Sequence, residues 1–153
     1  MIMRNKFDKE LDFLNSELIE MGNLIESAIK ATITALKEQN VDLAKRIVES
    51  DKYVDNMEKA IEQRCLRLLL QQQPVAKDLR LISSILKMIT DMERIGDHAA
   101  DISEIAIQLA NETYLKELTH IPQMAEAAIK MVKESIDSFV RKDIKLVKEV
   151  ILY

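Results

Sequence analysis

Turn-forming residues are almost missing from this chain: 153 residues contain two glycines and two prolines, and tryptophan is absent. Aromatics number six, three Phe and three Tyr. A β-sandwich or barrel needs a turn signal roughly every 8–12 residues and draws heavily on aromatic side chains, so both architectures are excluded. A single cysteine, Cys65, excludes an internal disulfide and fits a reducing compartment. Its place in the run CLRLLL predicts a buried, inert thiol. No stretch approaches the roughly 20 apolar residues of a membrane span. The N-terminal MIMRNKFDKELDF lacks the apolar core of a signal peptide. The chain is therefore expected in the cytoplasm, without direct membrane insertion. A basic excess is missing as well. The net charge of −4 argues against nucleic acid and is compatible with cation binding. No Gly-rich phosphate loop, Gly-x-Ser-x-Gly, cysteine pair or Cys/His/acid constellation occurs, so no enzymatic chemistry is expected.

What remains is Leu, Ile, Met, Lys and Glu in helical rhythm, 48% hydrophobic and 31% charged, with length enough for one real core. The periodicity predicts an all-α protein. A first helix is expected over about 7–38, with Leu11, Leu14, Leu18, Met21, Ile25 and Ile29 on one face. Asp42 is a candidate N-cap for a second, running to about Gln72 through Ile47, Val54, Ile61, Cys65 and Leu68. Pro74 fits the first turn of a third, which can continue to about Asn111, on the order of 55 Å at 1.5 Å per residue. A connection through His120-Ile121-Pro122 leads to a fourth ending near Val140, and Asp143 opens a fifth. Three long helices with short connections predict an antiparallel, up-down-up three-helix bundle. Shifting the sequence by 103 residues aligns 21–48 with 124–151 without a gap, apolar position on apolar position. Either this is an internal repeat or two amphipathic helices coincide.

Acidic residues form two stripes. The second helix carries Asp51, Asp55, Glu58 and Glu62; the third carries Glu93, Asp97, Asp101 and Glu104. Both sets follow spacings that line up one helix face, and both border an apolar arc. Like charges at this spacing oppose one another, and more strongly where partly desolvated. Two readings stay open. The stripes are solvated flanks neutralised by Lys52, Lys59, Arg64 and Arg94, or they hold a hard cation between facing helices. Gly96, inside a helix where Gly costs about 1 kcal/mol against Ala, suggests close approach of another helix or of a bound group. Within the same segment, Met92, Ile95 and Ile102 are expected in the core and Asp91 in solvent. A ferritin-like di-metal oxidase is disfavoured, because the only Glu-x-x-His, Glu117 to His120, falls in a connection rather than a core. His98 has no Glu three residues before it and is left out of the ligand set. Lys77, Arg80 and Arg94 are either flank charges or a cationic set for an acidic partner.

Three strings, FDKELDFLNSELIEMGNLIESAI, ESDKYVDNMEKAIEQRCLRLLLQQQPVAKDLR and LKMITDMERIGDHAADI, closely resemble the PhoU family of phosphate-signalling proteins. The resemblance implies a two-repeat helical protein, each repeat a three-helix bundle. Residues 5–113 would form a complete repeat and 120–153 the first part of a second. It further implies metal, iron or zinc foremost with Mg, Mn and Ca as alternatives, held by Glu/Asp-x-x-x-Asp motifs. Here these fall on Glu93 with Asp97 and on Asp51 with Asp55, with Asp101 next in line. The implied role is a non-catalytic negative regulator linking the ATPase subunit of a phosphate ABC transporter to a sensor histidine kinase. The alternatives are an accessory to a secondary phosphate carrier and a metal-binding carboxylate bundle. Family members generally exceed two hundred residues, so a second repeat interrupted before its acidic helix is expected. Its uncovered apolar faces should pack on another copy, giving a homodimer or higher oligomer.

Overall fold

A computed structural model describes residues 2–71 and 74–153. Among the described residues five helices follow one another: α1 (Ile2–Glu38), α2 (Val41–Gln71), α3 (Ala76–Gln108), α4 (His120–Arg141) and α5 (Ile144–Leu152). The first three pack on one another as the up-down-up bundle. Their seam is filled by Leu14, Leu18, Met21 and Ile25 of α1, Ile61 and Cys65 of α2, and Ile82, Ile85 and Ile89 of α3. Burial pushes the Cys65 thiol up to about 12, so it stays protonated and unreactive. One polar cluster lies in this seam. Thr32 donates to the carbonyl of Ala28 at 2.8 Å, and its hydroxyl meets that of Ser103 at 3.0 Å. Both hydroxyls also reach the carbonyl of Ala99, so burial leaves neither unsatisfied.

Boundaries depart from the sequence reading at the punctuating residues. α1 begins at Ile2 rather than near Phe7. Asn40, not Asp42, caps α2: its side chain accepts from Leu43 N at 3.0 Å, while Asp42 lies in the first turn. Val75 is the residue that precedes α3, so Pro74 stands just outside the helix, and the helix stops at Gln108 rather than Asn111. His120, Ile121 and Pro122 open α4 instead of preceding it; a proline in the first turn has no intrahelical N–H bond to lose. The end of α2 expected at Gln72 lies outside the described residues.

α4 packs on α1, and α5 packs on α4. The α1–α4 crossing is close at Gly22, where a Cβ would come within 2.5 Å of Ile136 Cδ1. The α1–α2 corner and the α4–α5 corner are built alike at an offset of 103 residues. Gln39 and Lys142 both take the left-handed conformation, with φ of 52° and 56°. The following N–H groups, of Asn40 and Asp143, donate to Ala35 O and Ser138 O, each at 2.9 Å. Asn40 and Asp143 then cap the next helix through their side-chain oxygens. These are Schellman closures with non-glycine residues in the left-handed position.

Arg64, expected to offset the acids of its own helix, instead crosses to α1. It donates to Glu17 at 2.9 Å and Glu10 at 3.1 Å and stacks on the Phe13 ring at 4.1 Å. Glu17 is nearly buried, so Arg64→Ala should strand its charge and lower stability by about 2 kcal/mol in urea denaturation. Lys30→Ala, which breaks the exposed Lys30–Glu26 pair, should change stability by less than about 0.5 kcal/mol. Equal effects from the two changes would refute the assignment.

Candidate metal centre

The carboxylate seam lies where α2 and α3 approach closely at Gly96. Gly96 on α3 faces Val54 on α2: a Cβ there would lie 3.1 Å from Val54 Cγ1 and 3.5 Å from Asp51 Oδ1. Val54 is buried, so the contact fixes the helix spacing. Asp51 and Asp55 sit one turn apart on α2, on either side of Val54, and Asp97 follows Gly96 on α3. One carboxylate oxygen from each of the three lies within 4.8 Å of the other two. All three residues are half-buried.

Two observations mark this group as more than a solvated flank. Asp55 Oδ1 is buried and has no hydrogen-bond partner. The Asp51 carboxyl is pushed up from 3.8 to about 6, by burial first and then by the charges of Asp55 and Asp97. Glu58 and Glu93 flank the trio and are also raised. Burial is the main cause for both, followed by Glu62 for Glu58 and by Asp97 for Glu93. Among the described residues no lysine or arginine forms an ion pair with any of these five acids; the pairs present are Arg4, Lys30, Arg64 and His98 with other carboxylates. Lys52, Lys59 and Arg94 are exposed, as is Asp91.

Of the five ligand candidates, Asp51, Asp55 and Asp97 converge, and Glu93 lies beside them. Asp101 lies toward solvent: its side chain is 71% exposed and faces His98 Nδ1 at 3.9 Å, although its charge still helps raise the Asp51 carboxyl. Glu62 and Glu104 are exposed too, so the stripes run from the seam out into water. Glu58 belongs to the cluster although it was not among the candidates; its place seven residues after Asp51 on the same stripe was the available signal. Ile102 is not core but 39% exposed, lining an apolar groove of about 1210 Å³ among α1, α3 and α4. Lys77 and Arg80 lie at the start of α3, remote from the seam, in a different groove.

The residues fit a hard divalent cation. They present several oxygen donors, one of them desolvated and unpartnered, and partial burial penalises joint ionisation unless positive charge is added. The chain is thus an all-α bundle with a repeated corner and an acid seam between its second and third helices. The chain belongs to the PhoU family: the PhoU domain profile matches residues 18–106. The phosphate-specific transport system accessory protein PhoU homolog of Aquifex aeolicus (strain VF5) is 42% identical over 146 residues, 95% of this chain and 66% of the relative. The phosphate-specific transport system accessory protein PhoU of Escherichia coli (strain K12) is 37% identical over 139 residues, 91% of this chain and 58% of the relative. The crystal structure of PhoU from Pseudomonas aeruginosa superposes with a TM-score of 0.87 at 37% identity, covering 94% of this chain and 69% of that one. The chain thus spans 58–66% of the length of these two curated relatives. The predicted all-α, PhoU-like bundle agrees with the family and with the structure.

Proposed function

We infer that this chain is a non-catalytic accessory protein of a phosphate transport system. The observation that carries the reading is a family match spanning 91–95% of the chain, to relatives named as phosphate-specific transport system accessory proteins. In the finer reading the chain binds the ATPase subunit of a phosphate ABC transporter and a sensor histidine kinase. It thereby holds the phosphate-starvation response off when phosphate suffices. Among the described residues no helix is long and apolar enough to cross a membrane, so membrane proximity would come through partners at its cytoplasmic face. The seam would hold a divalent ion through Asp51, Asp55 and Asp97, with Glu58 and Glu93 in reach of further ions. An all-oxygen donor set accepts iron and zinc, and suits Mg, Mn and Ca as well. Bound metal would supply the positive charge that ties α2 to α3.

Complementation tests the regulatory reading. Cells lacking the corresponding gene should express a phosphate-starvation reporter in high phosphate, and this chain should restore repression. Full accumulation of folded chain without repression, and without binding to either purified partner, would overturn it. Elemental analysis of the wild type beside Glu93→Ala/Asp97→Ala addresses the metal separately, with most of the bound ion expected to be lost. Equal metal in both proteins would remove the seam from the proposal.

A further inference from the structure

Residues 109–119, which join the three-helix repeat to α4, are tied down by side chains rather than by their own backbone. Among the described residues, no N–H from Thr113 to Leu118 donates to a backbone carbonyl. Instead Gln39 Nε2 donates to Leu109 O at 3.0 Å and to Glu112 O at 2.7 Å, and Tyr114 OH donates to Leu36 O at 2.7 Å. Tyr114 and Leu118 also pack against the cluster of Ala35, Leu36, Ala44 and Ile47. Gln39 reaches the segment from the left-handed turn position, with φ of 52°. Glycine would hold that turn with less strain, and what glutamine adds is the clasp.

What the clasp controls follows from the seating of α4. Among the described residues α4 packs on α1 and α5, and on neither α2 nor α3. Its second half is fixed. Ile136 is buried against Gly22, and Val132 and Phe139 pack on the bundle core. Its first half is looser: Ile121 and Met124 are 42% and 69% exposed and line the groove of about 1210 Å³ that separates them from α3. Tyr114 and Leu118 of the joining segment line the same groove. Few buried contacts and a backbone without its own hydrogen bonds give low local stability, so this region can open while the bundle stays folded.

We propose that residues 109–119 are a latch. Gln39 and Tyr114 hold them on the α1–α2 corner, and their release as a unit lets the first half of α4 swing away from the groove about the Gly22–Ile136 crossing. The proposal goes beyond the accessory reading and does not involve the metal seam. Lys116 is exposed and is the only lysine or arginine between Arg94 and Lys130, so trypsin cutting after it reports on this segment. With trypsin kept dilute, the rate of that cut follows the opening equilibrium. Tyr114→Phe keeps the ring, and Gln39→Gly relieves the turn while removing the clasp; each should speed the cut about three- to tenfold. Both should also speed amide hydrogen exchange over 124–128 and leave 129–141 and 82–100 unchanged. Gln39→Gly should melt close to wild type, because the relieved turn offsets the lost bonds. Ile61→Val, which loosens the buried core, should lower the melting temperature and leave the cut at Lys116 unchanged. Unchanged cutting in both clasp variants, or equal acceleration by Ile61→Val, would overturn the proposal. So would faster cutting without faster exchange over 124–128, since release would then stop short of α4.

Discussion

Metal-free Asp51→Asn protein should melt at a higher temperature than metal-free wild type at pH 7, and excess divalent metal should reverse the order. Asp51 titrates near 6 in the fold against 3.8 ordinarily, chiefly because burial disfavours its charge and then because Asp55 and Asp97 repel it. A raised carboxyl means that the folded state binds the proton more tightly than the unfolded chain. The stabilisation from that proton is fully present below about pH 4 and is lost as pH rises through about 6. At pH 7 the wild type therefore carries the whole penalty. A shift of about two units corresponds to about 3 kcal/mol, and the half-open site reduces this to roughly 1–2 kcal/mol, or about 3–6 °C in Tm. The amide removes that penalty with little change of shape. Metal-free wild type should accordingly lose stability between pH 4 and pH 7 more steeply than Asp51→Asn. With metal, Asp51 becomes an asset, and the variant gains less than the wild type from the same concentration. Parallel pH profiles of the two metal-free proteins, or an order that metal leaves unchanged, would refute the seam as a strained cation site.

Periodicity made the helices legible. Leu14, Leu18, Met21 and Ile25 recur at helical spacing and all lie at zero exposure, because this stripe of α1 faces the seam with α2 and α3, while α4 packs on α1 at Gly22. Helix ends were less legible. Asp42 has the right chemistry for a cap, yet Asn40 has the position, because the left-handed Gln39 before it reverses the chain two residues ahead of Asp42. Ile102 had core spacing and is exposed, because the buried face of α3 continues through Ser103 and Ala106 instead, and Ile102 lines the groove beside α1 and α4. At the site, spacing placed all eight acids on two stripes, but it could not say where along them the helices touch. Gly96 carried that information. The seam is tight where the glycine lies, so Asp51, Asp55 and Asp97 converge around it while Asp101, one turn on, points into water. The destination of Arg64 was hidden for a related reason: it depends on the neighbour α1, which supplies Glu10 and Glu17.

Gly96→Leu should therefore be among the most damaging single changes at the seam, and Gly96→Ala one of the mildest. A Cβ at 3.1 Å from Val54 Cγ1 asks the valine to give by a few tenths of an ångström. Alanine also gains about 1 kcal/mol of helix propensity over glycine, so the net effect of Gly96→Ala should lie within about 1 kcal/mol of zero. Leucine has no comparable outlet. Its branched end meets buried Val54 and the Asp51 carboxylate, and overpacking of this kind costs about 1–3 kcal/mol. The strain is relieved by moving α3 away from α2, which separates Asp97 from Asp51 and Asp55. Metal affinity should then fall by about tenfold or more, even at a temperature where the variant is fully folded. Comparing the two variants separates the site from the scaffold. Calorimetry at low temperature, with circular dichroism to verify folding, should find near-normal metal binding in Gly96→Ala and weak binding in Gly96→Leu. Wild-type affinity in a folded Gly96→Leu protein would mean that the close approach does not set the carboxylate spacing, and that the glycine serves packing alone.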